Sequence, residues 1–161
     1  MKRAAHVLAL AITIAVAGCG KDPDPNQSVG PADLTPFVGT WNVAAAGLTV
    51  TCTDHSTKAI AINQPTVLVM GTDSDLLDTD ATCPVKYKVT GRIARALPQQ
   101  TCDEPQLPTQ MHVLDDTFTV DDTGMATHEA SGNLDGFINI ALGESVKCTF
   151  AEMGIYRRAD N

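Results

Sequence analysis

The chain has 161 residues, 43% of them hydrophobic, 4% aromatic and 19% charged, with a formal net charge of −8. That length holds one domain plus attachments, and the composition excludes a collagen, a coiled coil and a basic nucleic-acid binder. Leu, Ile, Val and Phe together supply 37 of the 161 residues, enough apolar material to argue for a folded core rather than a disordered chain.

Lys2 and Arg3 give a positive start, and Ala4 to Ala17 is an uncharged, mostly apolar run. This is the layout of a secretory signal, too short to cross a bilayer, which takes about 20 residues. The run ends in Val16-Ala17-Gly18-Cys19. Those residues resemble the lipobox of bacterial lipoprotein signals, a small-residue cleavage site followed directly by cysteine. The resemblance implies that residues 1–18 are a signal peptide and that Cys19 becomes the first mature residue, carrying a diacylglyceryl thioether. The membrane is then a partner through lipid. Each buried methylene contributes about 0.8 kcal/mol, and two or more chains hold where one does not. The implied address is the cell envelope, with the outer membrane favoured because Gly20 is not the aspartate of lipoproteins retained at the inner membrane. Cleavage removes two of the eleven basic residues and none of the nineteen acidic ones, leaving a balance of −10. Such a charge disfavours nucleic acid and anionic lipid surfaces as partners.

Residues 19–35 combine the lipidated cysteine with a stretch rich in proline, glycine and charge, which reads as an extended linker. Residues 36–161 read as a single β domain. Leu48, Val50 and Cys52 alternate with threonines. Ile60 and Ile62 alternate with small residues. Val85, Tyr87 and Val89 alternate with Lys86, Lys88 and Thr90. Phe118 and Val120 alternate with Thr117 and Thr119, and Val146, Cys148 and Phe150 with Lys147 and Thr149. Another apolar run holds Phe137, Ile138 and Ile140. Period two with threonine or lysine outward marks half-buried strands. Asn63-Gln64-Pro65, Asp115-Asp116, Asp121 to Gly124, Gly132-Asn133 and Asp135-Gly136 read as turns between them. The fold class is all-β: an antiparallel up-and-down barrel or a two-sheet sandwich of about eight to ten strands.

With Cys19 assigned to lipid, Cys52, Cys83, Cys102 and Cys148 remain, an even number that implies disulfides in an exported domain. Three connectivities are open. Cys83–Cys102, across one hairpin or loop, is favoured, leaving Cys52–Cys148 to tie an early strand to the last. In a closed meander those strands are neighbours. Cys52 opposite Cys148 and Trp41 opposite Arg157 share one ladder if a two-residue bulge lies within Ala44 to Gly47. Each bridge adds about 2–4 kcal/mol.

Phe37-Val38-Gly39-Thr40-Trp41 resembles the Gly-x-Trp opening of the first strand in the calycins, the lipocalins and fatty-acid-binding proteins. Cys148 to Arg158 is similar to their last strand. The resemblance covers only these two ends. It implies a barrel closed by a cation–π contact of Trp41 with Arg157 (or Arg158), worth about 0.5–2 kcal/mol, and a small apolar ligand. The second lipocalin motif and the helical lid are missing, and the carboxylate-anchoring arginine of the fatty-acid binders falls at Gly154.

No Gly-x-Ser-x-Gly, His-Glu-x-x-His or phosphate-loop pattern occurs, so no catalytic residue, metal or cofactor is assigned. His112 and His128 fit facing strands, with no nucleophile beside either. Asp73, Asp75, Asp78 and Asp80 crowd one stretch but lack calcium-loop spacing and read as a solvated acidic loop. The expected function is that of a non-enzymatic envelope lipoprotein presenting a stapled β domain to a protein partner or in a structural role. The alternatives are a calycin-like carrier of a small apolar ligand and an enzyme inhibitor presenting the Pro98–Pro108 loop.

Overall fold

The computed structural model describes residues 31–79, 83–104, 109–139 and 144–159. The described residues form ten strands and no helix: β1 (Gly39–Cys52), β2 (Thr57–Ala61), β3 (Thr66–Met70), β4 (Leu76–Asp78), β5 (Lys86–Thr90), β6 (Ile93–Ala96), β7 (Gln100–Glu104), β8 (Thr109–Val120), β9 (Met125–Asn139) and β10 (Glu144–Arg158). Every pairing is antiparallel. Eight strands run in the order β1-β3-β4-β5-β6-β8-β9-β10, and β10 pairs back onto β1. The architecture is thus a closed barrel rather than a sandwich, and closure removes the edges from this eight-strand circuit. β2 and β7 stand off this circuit, on β1 and β8 respectively.

Alternation along each strand sorts the side chains. On β5, Tyr87 and Val89 are buried while Lys88 and Thr90 are exposed. Trp41, Phe37, Tyr87, Phe118 and Tyr156 are almost wholly inside, with Leu68 and Leu76 among them. Trp41 and Phe118 meet edge to face, centroids 5.2 Å apart, a geometry worth about 0.5–1.5 kcal/mol beyond burial. A second cluster joins Val50 and Cys52 of β1, Leu134 of β9, and Cys148 and Phe150 of β10.

Disulfides join Cys52 to Cys148 and Cys83 to Cys102. The first links direct cross-strand partners on β1 and β10. The second ties the segment before β5 to β7, where Gln100 also accepts from the Lys86 N–H (2.7 Å) and donates to the Lys86 carbonyl (2.9 Å).

Three expectations are corrected. The β1–β10 register shifts by one residue, between Val43 and Ala45, so Trp41 faces Arg158 rather than Arg157. Arg157 is exposed, and Trp41 meets Phe118 edge to face and donates its indole N–H to the Phe37 carbonyl at 2.7 Å. Arg158 closes this end of the barrel by hydrogen bonding instead, donating to the carbonyls of Thr35 (3.1 Å), Pro36 (3.3 Å) and Val38 (2.7 Å). Gly39, at φ 138°, lies against that guanidinium, a backbone conformation that suits only glycine. Second, packing begins before residue 36. Ala32 and Leu34 lie against the core, and the Phe37 and Val38 N–H groups both donate to the Leu34 carbonyl. Third, Asp115-Asp116, Gly132-Asn133 and Asp135-Gly136 are not turns but lie within β8 and β9. Register shifts occur at the first, between Val113 and Asp115, and opposite the last, where Gly136 adopts φ 83°. At those two places residues that favour turns sit at bulges inside continuous strands, since a bulge needs the same left-handed or helical backbone, while Gly132 and Asn133 keep regular register with β8 and β10.

Candidate functional site

The bulge on β8 creates the interior polar group. Val113 faces inward, Leu114 and Asp115 face solvent, and then Asp116, Phe118 and Val120 face inward. One extra residue has switched the inward parity from odd to even. Asp116 is therefore 4% exposed, in a strand whose neighbouring aspartate is solvated.

His128 sits on the adjacent strand, directly opposite Phe118 on β8 and Gly154 on β10. Its two carboxylate partners each lie one inward step away, Asp116 on one flank and Glu152 on the other. Such diagonal neighbours are within reach of long side chains. Nε2 of His128 lies 3.0 Å from Asp116 Oδ1, and Nδ1 lies 3.1 Å from Glu152 Oε1. A tyrosine stands at each end of this chain. The Tyr87 hydroxyl donates to Asp116, 3.1 Å from both carboxylate oxygens, and the Tyr156 hydroxyl lies 3.5 Å from Glu152 Oε1.

Electrostatics follow from this geometry. Burial by itself pushes the His128 imidazole down, but hydrogen bonds to Asp116 and Glu152, and the charges of both, outweigh it and raise its pKa to about 10. The ring is thus an imidazolium at neutral pH, with a carboxylate on each nitrogen. Burial, and then the nearby Asp116 charge, push the Tyr87 phenol well above its ordinary value. Burial and the Glu152 charge push Tyr156 up to about 12. Both phenols remain neutral donors.

The polar chain forms one wall of a cavity of about 230 Å³. Asp78 reaches the same cavity from β4, while Met111, Val113, Phe150 and the Tyr156 ring supply apolar wall. Gly154 makes room for that ring, since a Cβ there would meet Tyr156 and lie 3.1 Å from the Ala46 Cβ.

The other residues singled out in the sequence lie elsewhere. His112 is on the outer face, 3.1 Å from Asp135 and 3.1 Å from the Thr101 hydroxyl, and does not join His128. The acidic stretch divides. Asp73 pairs with Lys86 at 2.6 Å and Asp75 with Lys88 at 2.9 Å, while Asp78 is buried and Asp80 lies outside the described residues. The Lys86 hydrogen bond holds the Asp73 carboxyl below its usual value, and the Val89 N–H followed by Lys88 does the same for Asp75. Among the described residues no group of three or more His, Cys, Asp or Glu is placed to hold a metal ion. Cys19 lies outside the described residues, as do residues 105–108 of the Pro98–Pro108 segment.

Sequence reasoning missed Glu152 and the partners of His128. Parity was the available signal: Glu152 shares its face with Cys148, Phe150 and Tyr156, so it marks a carboxylate on an apolar strand face. Such a group needs a buried partner.

No family model matches the chain, and no curated protein or solved structure matches it.

Proposed function

We propose that this chain is an exported lipoprotein, held to the cell envelope by a diacylglyceryl thioether on Cys19, whose barrel binds a small molecule. The observation that carries the binding role is the cavity of about 230 Å³ beside a buried, hydrogen-bonded polar chain. A space lined mainly by apolar groups with a few convergent polar ones is the usual form of a small-molecule site. The envelope address is supported by Val16-Ala17-Gly18-Cys19, with the outer membrane favoured by Gly20, and two disulfides suit an oxidising compartment. The role is binding rather than turnover. Both nitrogens of His128 already face carboxylates, so neither is available to take a proton from a bound molecule.

Native mass spectrometry of protein released gently from membranes tests both halves. The expected spectrum carries an acylated Cys19 and a non-covalent small-molecule mass. Protein isolated without any such mass, and taking none up when challenged with small molecules, overturns the binding role. Cys19→Ser is expected to lose the acyl mass and leave the membrane fraction. An unchanged acylated N-terminus overturns the anchor.

A second reading, contact with a protein partner, is favoured by the outer face of β10. Met153 and Ile155 are 65% and 46% exposed there, opposite Gly47 and Ala45 of β1. Charged substitutions at both positions that leave cross-linked partners in intact cells unchanged overturn it.

A further inference from the structure

Granting the small-molecule reading, the cavity wall also selects the charge of its occupant. Asp78, Asp116 and Glu152 reach the cavity from three strands, and no lysine or arginine is among the described residues lining it. His128 supplies one positive charge, and that charge is divided between Asp116 and Glu152. One imidazolium shared between two carboxyl groups leaves the Asp116–His128–Glu152 trio acidic, in a setting where unbalanced charge is costly; Asp78 has an interaction of its own. Phe150 and Tyr156, which share the inward face of β10 with Glu152, line the same cavity with aromatic rings, whose faces attract cations.

Size narrows the class further. An apolar cavity of about 150 Å³ holds one benzene ring; this one, at about 230 Å³, has room for a ring plus a short polar arm. A bare metal ion does not suit it, because no described cluster offers the several oxygen ligands such an ion requires. Within the chain, Glu152 is the most accessible partner, its side chain 18% exposed against 5% for Asp116 and 10% for His128.

We infer that the cavity takes a small organic monocation, a primary ammonium or amidinium on an apolar body, with its charge on Glu152 and its body against Phe150 and Tyr156. The cation completes the charge balance that His128 begins.

Three probes of like size separate charge from shape: benzylamine, benzyl alcohol and benzoate, which are positive, neutral and negative at pH 7. Each is titrated calorimetrically into the processed, disulfide-intact protein. The amine is expected to bind at least tenfold more tightly than the alcohol, and benzoate not at all. In Glu152→Gln the amine is expected to fall to within threefold of the alcohol. If the alcohol or benzoate binds as tightly as the amine, the charge inference is overturned while the cavity reading stands. If none of the three binds, both are overturned. A folded Glu152→Gln protein that keeps the tenfold preference overturns Glu152 as the anchor. Should that variant fail to fold, the ranking on the unmodified protein decides.

Discussion

Asp116 Oδ1 lies 3.0 Å from His128 Nε2 because the bulge between Val113 and Asp115 turns Asp116 inward and Asp115 outward. A buried imidazolium with carboxylates on both nitrogens is a unit, and its energy shows when one member is removed. Deleting one partner of a buried ion pair typically costs about 3–5 kcal/mol, because the remaining charge is left uncompensated. His128→Leu leaves Asp116 and Glu152 facing the interior without their shared cation, and a loss of that order is expected by denaturant unfolding. Adding Asp116→Asn and Glu152→Gln to the same protein is expected to recover part of it, since those changes remove the orphaned charges. A triple variant no more stable than His128→Leu alone contradicts this account.

The same unit fixes a pH dependence. The His128 pKa rises from 6.5 to about 10 on folding, so the folded state binds the proton more tightly. The resulting stabilisation is complete below about pH 6.5 and declines as pH rises, until it is lost through about pH 10. Between those limits the slope from this group approaches about −1.4 kcal/mol per pH unit. Urea midpoints measured from pH 6 to pH 10 are expected to fall in the native protein and to fall less in His128→Leu. Parallel curves for the two proteins contradict the assignment.

The barrel is readable from residue alternation, because one inward and one outward face per strand impose period two on the chain. The Cys52–Cys148 pairing follows from closure, which makes the first and last strands neighbours. The interior site is less readable for a physical reason. Asp115-Asp116 and Asp135-Gly136 carry the same preference for tight backbone whether they end a strand or bulge within it, and local sequence does not distinguish the two. Read as a turn, Asp115-Asp116 falls outside the core and His128 has no partner. Glu152 is legible, because its strand carries no bulge between Cys148 and Tyr156 and parity counted from either end places it inside.

The two arginines at the end of β10 are expected to behave oppositely. Arg158 holds three carbonyls of the turn that enters the barrel, and hydrogen bonds to a charged group contribute more than neutral ones. Arg158→Ala is expected to cost about 2 kcal/mol and to speed hydrogen exchange at the Phe37 and Val38 amides. Arg157 is exposed, and its replacement by alanine is expected to change stability by no more than about 0.5 kcal/mol. If Arg157→Ala proves the costlier, the cation–π closure with Trp41 is restored and the carbonyl latch is wrong.

Gly154 and Gly47 give a matched test of packing beside the site. A Cβ on Gly154 would collide with the Tyr156 ring and lie 3.1 Å from the Ala46 Cβ, so the ring must shift. Overpacking of this kind costs about 1–3 kcal/mol. It also displaces the ring whose hydroxyl stands 3.5 Å from Glu152, so Gly154→Ala is expected to lower the Tyr156 pKa from about 12 as the ring moves toward solvent. A Cβ on Gly47 would meet only the Ile60 carbonyl at 3.6 Å, an ordinary contact on the outer face, and Gly47→Ala is expected to stay within about 0.5 kcal/mol of the native protein. Thermal unfolding and an ultraviolet titration of the tyrosines read both effects. Equal stability of the two variants, with an unmoved tyrosine titration, means that Gly154 is not what makes room for the ring.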